Sequence, residues 1–253
     1  MDPTLRRALD VAWDHALAPW RDGNEPLSIL FSGGVDSGLL AWELRDRARL
    51  TLVTIGVEGA ADLAAAGEAA EALGREWRRR IVTAVEVDAM ADRFRSSLVD
   101  LPPTIRAVQV AIALALDAAP SRDVLCGQGA DELFLGYSHY RNLRPEAASA
   151  RATADLALLL DRDWARTREI AGELGREVSA PYLDPEFVRA AQSVPLRLRL
   201  PSPQPKQFLR EWARHRGLPA SIAERPKRAF QFGSGVERML SAHDRTRPRR
   251  THI

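Results

Sequence analysis

Phe31-Ser32-Gly33-Gly34-Val35-Asp36-Ser37 is the stretch on which the reading of this 253-residue sequence turns. An apolar run, Leu27 to Phe31, leads into it, and a helix-compatible run, Gly38 to Arg47, follows it. In an open α/β sheet, ligands bind outside the carboxyl ends of the strands, so a glycine-rich strand-to-helix turn marks such a place. Gly33 and Gly34 let the backbone turn tightly and expose its N–H groups, and Ser32 and Ser37 add hydroxyl donors. The helix that starts near Ser37 adds a partial positive charge of about +0.5 at its N-terminus. The result is an anion cradle suited to phosphate. Asp36 would repel a bare phosphate and makes sense with Mg²⁺ between carboxylate and phosphates. The stretch lacks the GxxxxGK[ST] spacing of a Walker A loop.

Outward from this turn the pattern alternates. Leu5 to Leu17 reads as a helix entered through Pro3, and Asp22 to Pro26 as a turn. Strands are expected at Leu27–Phe31, Leu50–Ile55, Trp77–Val82 and Asp123–Cys126. Helices are expected at Gly38–Arg47, Ala60–Leu73 (closed by Gly74) and Glu86–Leu98. Thr104 to Ala119 alternates like a strand, but its intervening residues are mostly alanine and it is long for one strand, so it is read as a helix. Right-handed crossovers then imply an α/β fold: a parallel twisted sheet of about five strands with helices on both faces. After Tyr140 the chain reads as mainly helical, broken at prolines. One domain is expected, with an N-terminal helix and turn (1–25), a nucleotide-binding core (26–140), a helical C-terminal part (141–243) and a disordered tail from Asp244.

Composition narrows the class. Hydrophobic residues make up 45% and charged residues 28%, a globular profile. Lys+Arg (36) and Asp+Glu (34) nearly cancel, so a nucleic-acid partner is not implied. Arg78-Arg79-Arg80 and the basic tail read as solvated surface. A single cysteine, Cys126, excludes an internal disulfide, and the five histidines lack metal-ligand spacing. No apolar run approaches membrane-helix length and MDPTLRRALD is no signal peptide, so a cytoplasmic protein is expected.

A second glycine-rich stretch follows the fourth strand: Cys126-Gly127-Gln128-Gly129-Ala130-Asp131-Glu132-Leu133-Phe134-Leu135-Gly136-Tyr137. Taken alone it reads as a turn with a helix-capping Asp131. With the first stretch, two strand-end carboxylates are placed to grip one Mg²⁺–pyrophosphate. SGG-V-DS resembles the pyrophosphate-binding loop of the ATP pyrophosphatase superfamily, of adenine nucleotide alpha hydrolase-like fold. The two stretches together resemble the synthetase domain of the asparagine synthetase family, with its SGG-[LVI]-DS and S-G-E-G-[AS]-D-E-[LV]-F-G-G-Y. In family order, Ile55–Leu63 resembles V-G-x-x-G-x-x-D-L, Thr104–Ala107 T-I-R-A, and Glu177–Asp184 E-V-R-x-P-F-L-D. Lys206–Glu211 resembles K-x-x-L-R-E, and Arg225–Phe230 R-x-K-x-x-F.

The resemblance implies ATP and Mg²⁺, a carboxylate substrate activated as its acyl-adenylate, and an amine that displaces AMP. It assigns pyrophosphate to Ser32, Gly33, Gly34, Asp36 and Ser37, and adenosine to Leu30, Ile55, Cys126 and Gly127. Mg²⁺ falls to Asp36 and Asp131, and the phosphates or adenylate to Lys206 and Lys227. Arg106 either positions substrate or phosphate, or makes a salt bridge on the helix surface. Aspartate and ammonia are the default pair. A tRNA- or nucleoside-modifying ATPase and a non-catalytic nucleotide-binding subunit are the alternatives. Departures are informative. Asp2, not the nucleophilic cysteine of a glutaminase domain, follows Met1, so the nitrogen is expected from free ammonia, from another amine, or from ammonia supplied by a separate glutaminase partner. Gln128 stands where asparagine-forming members carry Glu, and an amide cannot take a proton at neutral pH. Cys126 replaces Ser, Leu135 replaces Gly and Pro103 replaces Thr.

Overall fold

The computed structural model describes residues 2–200, 204–226 and 234–240. Five strands, β1 (Leu27–Leu30), β2 (Leu50–Gly56), β3 (Glu76–Ile81), β4 (Asp123–Leu125) and β5 (Glu177–Ser179), form one sheet in the order β3-β2-β1-β4-β5. Every pairing is parallel, and Ile29 in β1 lies between Leu52 of β2 and Leu125 of β4. The helices in chain order are α1 (Pro3–Arg21), α2 (Val35–Glu43), α3 (Ala61–Leu73), α4 (Ala84–Arg93), α5 (Arg95–Leu98), α6 (Pro103–Ala118), α7 (Ala130–Leu133) and α8 (Pro145–Leu158). They continue with α9 (Trp164–Glu173), α10 (Pro185–Ser193), α11 (Leu196–Arg199), α12 (Gln207–His215) and α13 (Ala220–Ala223).

This is the expected α/β sheet, with a mainly helical C-terminal part. β1 and β2 are buried along their whole length, as strands covered on both faces must be. β3 is the exposed edge, and Arg78 and Arg79 keep it from pairing further. α6 is a helix, not a strand. Its alternating sequence reflects burial almost all round, since Ala107 and Gln109 to Leu116 are all buried as it packs on β2, α4 and α9.

Local expectations need four corrections. α1 runs past Leu17 through Pro19, because Arg21 in its last turn pairs with Asp14 (2.6 Å) and Glu43 (3.1 Å). α2 starts at Val35, inside the glycine-rich stretch, with Gly34 as an extended N-cap, and ends at Glu43, short of the expected Arg47. The helix expected over 86–98 breaks at Phe94 into α4 and α5. The helical reading after Tyr140 missed β5, whose Glu177-Val178-Ser179 holds one apolar residue and so lacks the apolar run that marks the equally short β4. The tail from Asp244 lies outside the described residues.

The strand order decides where a ligand can sit. From β1 the chain moves outward through β2 and β3, then returns to the other side of β1 as β4. That reversal opens a crevice at the carboxyl ends of β1 and β4. The loops that leave those two ends are the two glycine-rich stretches.

Candidate active site

Asp36 lies in the first turn of α2 and Asp131 in the first turn of α7, one on each side of the crevice. Lys206, just before α12, closes the gap. Its Nζ donates to Asp36 Oδ1 and Oδ2, both at 2.7 Å, and lies 2.9 Å from Asp131 Oδ1. The lysine side chain is fully buried, and the residue adopts a left-handed backbone (φ 59°), uncommon without glycine. One ammonium thus bridges two carboxylates from loops 95 residues apart in sequence, leaving the trio with a net charge of −1.

Glycines make this approach possible. A Cβ on Gly136 would overlap Asp131 Oδ1 and Lys206 Cε, and one on Gly127 would lie 3.0 Å from Asp36 Cβ. Around the first loop, Ser32 N–H donates to Ser37 Oγ (3.1 Å) and Tyr182 OH donates to the Asp36 carbonyl (3.1 Å). Tyr182 belongs to a buried aromatic cluster with Trp13, Phe187 and Trp212, which joins α1, α10 and α12 beneath the loop. Arg225 reaches the same loop: its Nη1 donates to Ser32 O (3.2 Å) and lies 2.5 Å from where a Gly33 Cβ would be. Gly33 has φ +68°, so a side chain there is excluded twice over. Beside Asp131, Glu132 accepts from Tyr137 OH at 2.7 Å. Burial, reinforced by Asp131, pushes the Glu132 carboxyl up to about 7.

The remaining expected site residues fall as follows. Cys126 and Gln128, both departures from the family pattern, meet: Cys126 Sγ donates to Gln128 Oε1 at 3.5 Å. Burial pushes the Cys126 thiol up to about 12, which removes it as a thiolate nucleophile. Gly34 is half-buried and its N–H donates to Ser32 Oγ (3.4 Å). Leu30 ends β1 beneath the first loop, while Ile55 is fully buried in β2 and presents no surface to a ligand in this conformation. Arg106 is half-buried in the first turn of α6. Lys227 lies outside the described residues.

Residues 11–176 and 146–248 match the asparagine synthase family. The chain belongs to that family. It is 28% identical over 271 residues to a Methanocaldococcus jannaschii protein named asparagine synthetase [glutamine-hydrolyzing] 1, covering 92% of this chain and 50% of the relative. It is 27% identical over 246 residues to asparagine synthetase [glutamine-hydrolyzing] of Gallus gallus, covering 91% of this chain and 44% of the relative. The chain therefore spans about half the length of the curated relatives it matches. An NH3-dependent NAD synthetase from Campylobacter jejuni aligns with TM-score 0.39 at 16% identity, covering 69% of this chain and 94% of that one.

Within this asparagine synthase family member, the structure explains one departure. Leu135 stands at a glycine of the family pattern and keeps a glycine-like backbone (φ 51°). Its side chain is buried in a second small core with Tyr140, Ala148 and Ala152, so packing offsets the strain. Sequence reasoning missed Arg225, Tyr182, Glu132 and Gly136 as site residues. Each lay inside one of the motifs, but only the fold shows which motif positions meet at or beneath the two loops. It also passed over a simpler signal: the whole sequence contains two lysines, Lys206 and Lys227, and every other basic side chain apart from histidine is arginine. Arginine serves for surface charge, whereas a compact ammonium is kept only at two motif positions.

Proposed function

We propose that the chain is an AMP-forming carbon–nitrogen ligase that adenylates a carboxylate, aspartate by default, and passes the acyl group to ammonia or another amine. The observation that carries this reading is the buried Lys206 ammonium shared by Asp36 and Asp131 between the two strand-end loops. A fixed cation facing two anion-cradling turns is what in-line attack on an α-phosphate requires, because charge builds on the phosphoryl oxygens in the transition state.

The residues fit the implied metal. Among the described residues no three His, Cys, Asp or Glu side chains converge on one point, so a cage made wholly of protein groups is not offered. Mg²⁺ is usually held by one or two carboxylates together with substrate phosphates, and Asp36 and Asp131 supply two. The ammonium of Lys206 already occupies the cation position between them. When bound, Mg²⁺ would neutralise the pyrophosphate and help it leave.

In this reading the protein's own groups divide the work. Backbone N–H groups at Gly33 and Gly34 and the hydroxyls of Ser32 and Ser37 hold the departing phosphates. Lys206 exchanges a carboxylate for the phosphate oxygens, and Arg225 adds a second cation at the loop. A carboxylate oxygen bonds to the α-phosphorus as the α–β bridge breaks. The amine nitrogen then bonds to the acyl carbon, AMP leaves with the bonding pair, and the surplus amine proton goes to solvent. Gln128 hydrogen-bonds but takes no proton, so the amine must arrive neutral or lose its proton elsewhere. The contact between Cys126 and the Gln128 amide oxygen favours one other outcome: a nucleotide-binding protein that completes the amine step poorly.

Pyrophosphate release from Mg·ATP, with aspartate and a panel of other acids, with and without ammonia, tests the proposal. Release with AMP and asparagine formed supports the default pair, and release with another acid replaces the substrate. No release with any acid, even after Gln128→Glu, overturns autonomous catalysis. If Gln128 limits the amine step, Gln128→Glu raises turnover to amide by about 10²-fold or more.

A further inference from the structure

Arg210 is 1% exposed, among the largest fully buried side chains of the protein. Its guanidinium turns to main-chain carbonyls: Nε donates to Pro205 O at 2.9 Å, and Nη1 donates to Arg225 O at 2.9 Å and to Ala223 O. Burial holds the group below the usual arginine range, offset in part by Asp36 and Glu224. A buried charge satisfied by carbonyls is costly, so its placement calls for a reason.

Its partners supply one. Pro205 is the residue before Lys206, and the Arg225 carbonyl belongs to the residue whose side chain touches the first loop. The two segments are separated in sequence by α12 and α13. Arg210 ties both to itself and stands one helical turn beyond Lys206, whose carbonyl accepts the Arg210 N–H at 2.9 Å. The planar fork of arginine aims donors in several fixed directions at once, whereas a lysine offers one point.

We infer that Arg210 is a positioning residue that fixes Lys206 and Arg225 relative to each other, so that both cations meet the same nucleotide. The inference deepens the adenylation reading and rests on it for its kinetic consequence, but its structural content can be measured separately. Because the sequence holds two lysines, amine acylation followed by peptide mass spectrometry reports Lys206 directly.

The experiment compares wild type, Arg210→Lys and Arg210→Met, with Thr83→Ala as a control that weakens a helix cap on the far side of β2. In wild type, Lys206 reacts slowly, being buried and held by two carboxylates. In Arg210→Lys, which keeps the charge and loses the fork, Lys206 is expected to acylate at least about tenfold faster while unfolding stays cooperative. Where pyrophosphate release is measurable, kcat is expected to fall at least about tenfold with KM for ATP changed less than about threefold. Arg210→Met is expected to follow the same pattern more strongly. The inference is overturned if Arg210→Lys leaves Lys206 labelling at the wild-type rate. It is equally overturned if labelling rises no more than in Thr83→Ala at matched stability, which would make Arg210 a structural filler. If wild type releases no pyrophosphate with any acid, the adenylation reading fails, and labelling still decides the positioning.

Discussion

At the residue scale, Lys206 is the informative side chain. Under the proposed reading, a metal shared by Asp36 and Asp131 would meet its ammonium, so the two would compete for the same carboxylates. The metal should therefore enter with the nucleotide, whose phosphates give the ammonium somewhere else to go. Mn²⁺ titrated without nucleotide and followed by electron paramagnetic resonance checks this. Wild type is expected to bind weakly, and Lys206→Met, which removes the competitor, about tenfold or more tightly. Equal affinity in the two proteins would contradict the competition. Gly136→Ala makes a second test, because its methyl must displace both Asp131 and the lysine stem. Loss of Mg·ATP binding in a protein that still unfolds cooperatively is expected, read by calorimetry. Both loop carboxylates and both lysines were legible in the sequence as motif positions. That one lysine would span Asp36 and Asp131 was not, because it depends on α12 packing against α2.

At the element scale, legibility followed length and composition. α3 and α6 were readable by length and helix-favouring composition, and β1, β2 and β4 as apolar runs bounded by turns. β5 and the break at Phe94 were not, since a strand with one apolar residue and a single interrupted turn leave no such signal. The start of α4, two residues before the expected Glu86, shows what a cap that the sequence reading passed over contributes. Thr83 N–H donates to Glu86 Oε2 (2.8 Å), Glu86 N–H donates to Thr83 Oγ1 (3.3 Å), and Arg80 Nη2 donates to Glu86 Oε1 (2.9 Å). The bond from Arg80, then those from Thr83, hold the Glu86 carboxyl down at about 2 against an ordinary 4.5. A lowered carboxylate contributes stability that is fully present above about pH 4.5 and is lost as pH falls through about 2. Glu86→Gln is therefore expected to flatten the acid limb of melting temperature against pH within that window, leaving the curve above it parallel to wild type. An unchanged acid limb would mean that the cap does not titrate with folding. The carboxylate is largely exposed, so salt should weaken the effect.

At the scale of the whole molecule, α2 and α12 set the geometry of the crevice. Asp36 and Lys206 join their N-terminal ends, so the helices run side by side in the same direction. Just past the C-terminal end of α12, Arg216 grips Glu43 at the end of α2 through two bonds of 2.7 and 2.8 Å. Arg216 also bonds Asp14 of α1 at 2.7 Å, and its carbonyl accepts from Trp42 Nε1 at 2.9 Å. Asp36 and Glu43, two turns apart on α2, separate the two fastenings by about 10 Å. In the proposed reading the N-terminal fastening would loosen as Lys206 turns to phosphate, and the C-terminal one would hold the helices meanwhile. The Glu43 side chain is 9% exposed, so removing Arg216 leaves a nearly buried charge held by the longer Arg21 contact (3.1 Å) in place of two short bonds. Arg216→Met is expected to cost about 3 kcal/mol in urea unfolding. Adding Glu43→Gln removes the stranded charge and should recover a good part of that loss, a coupling that a double-mutant cycle reads directly. Mg·ATP affinity per folded molecule should change less than about threefold in the double variant, because the two ends are separate fastenings. If affinity collapses together with stability, the two ends act as one unit and the C-terminal clasp belongs to the nucleotide site as much as Lys206 does.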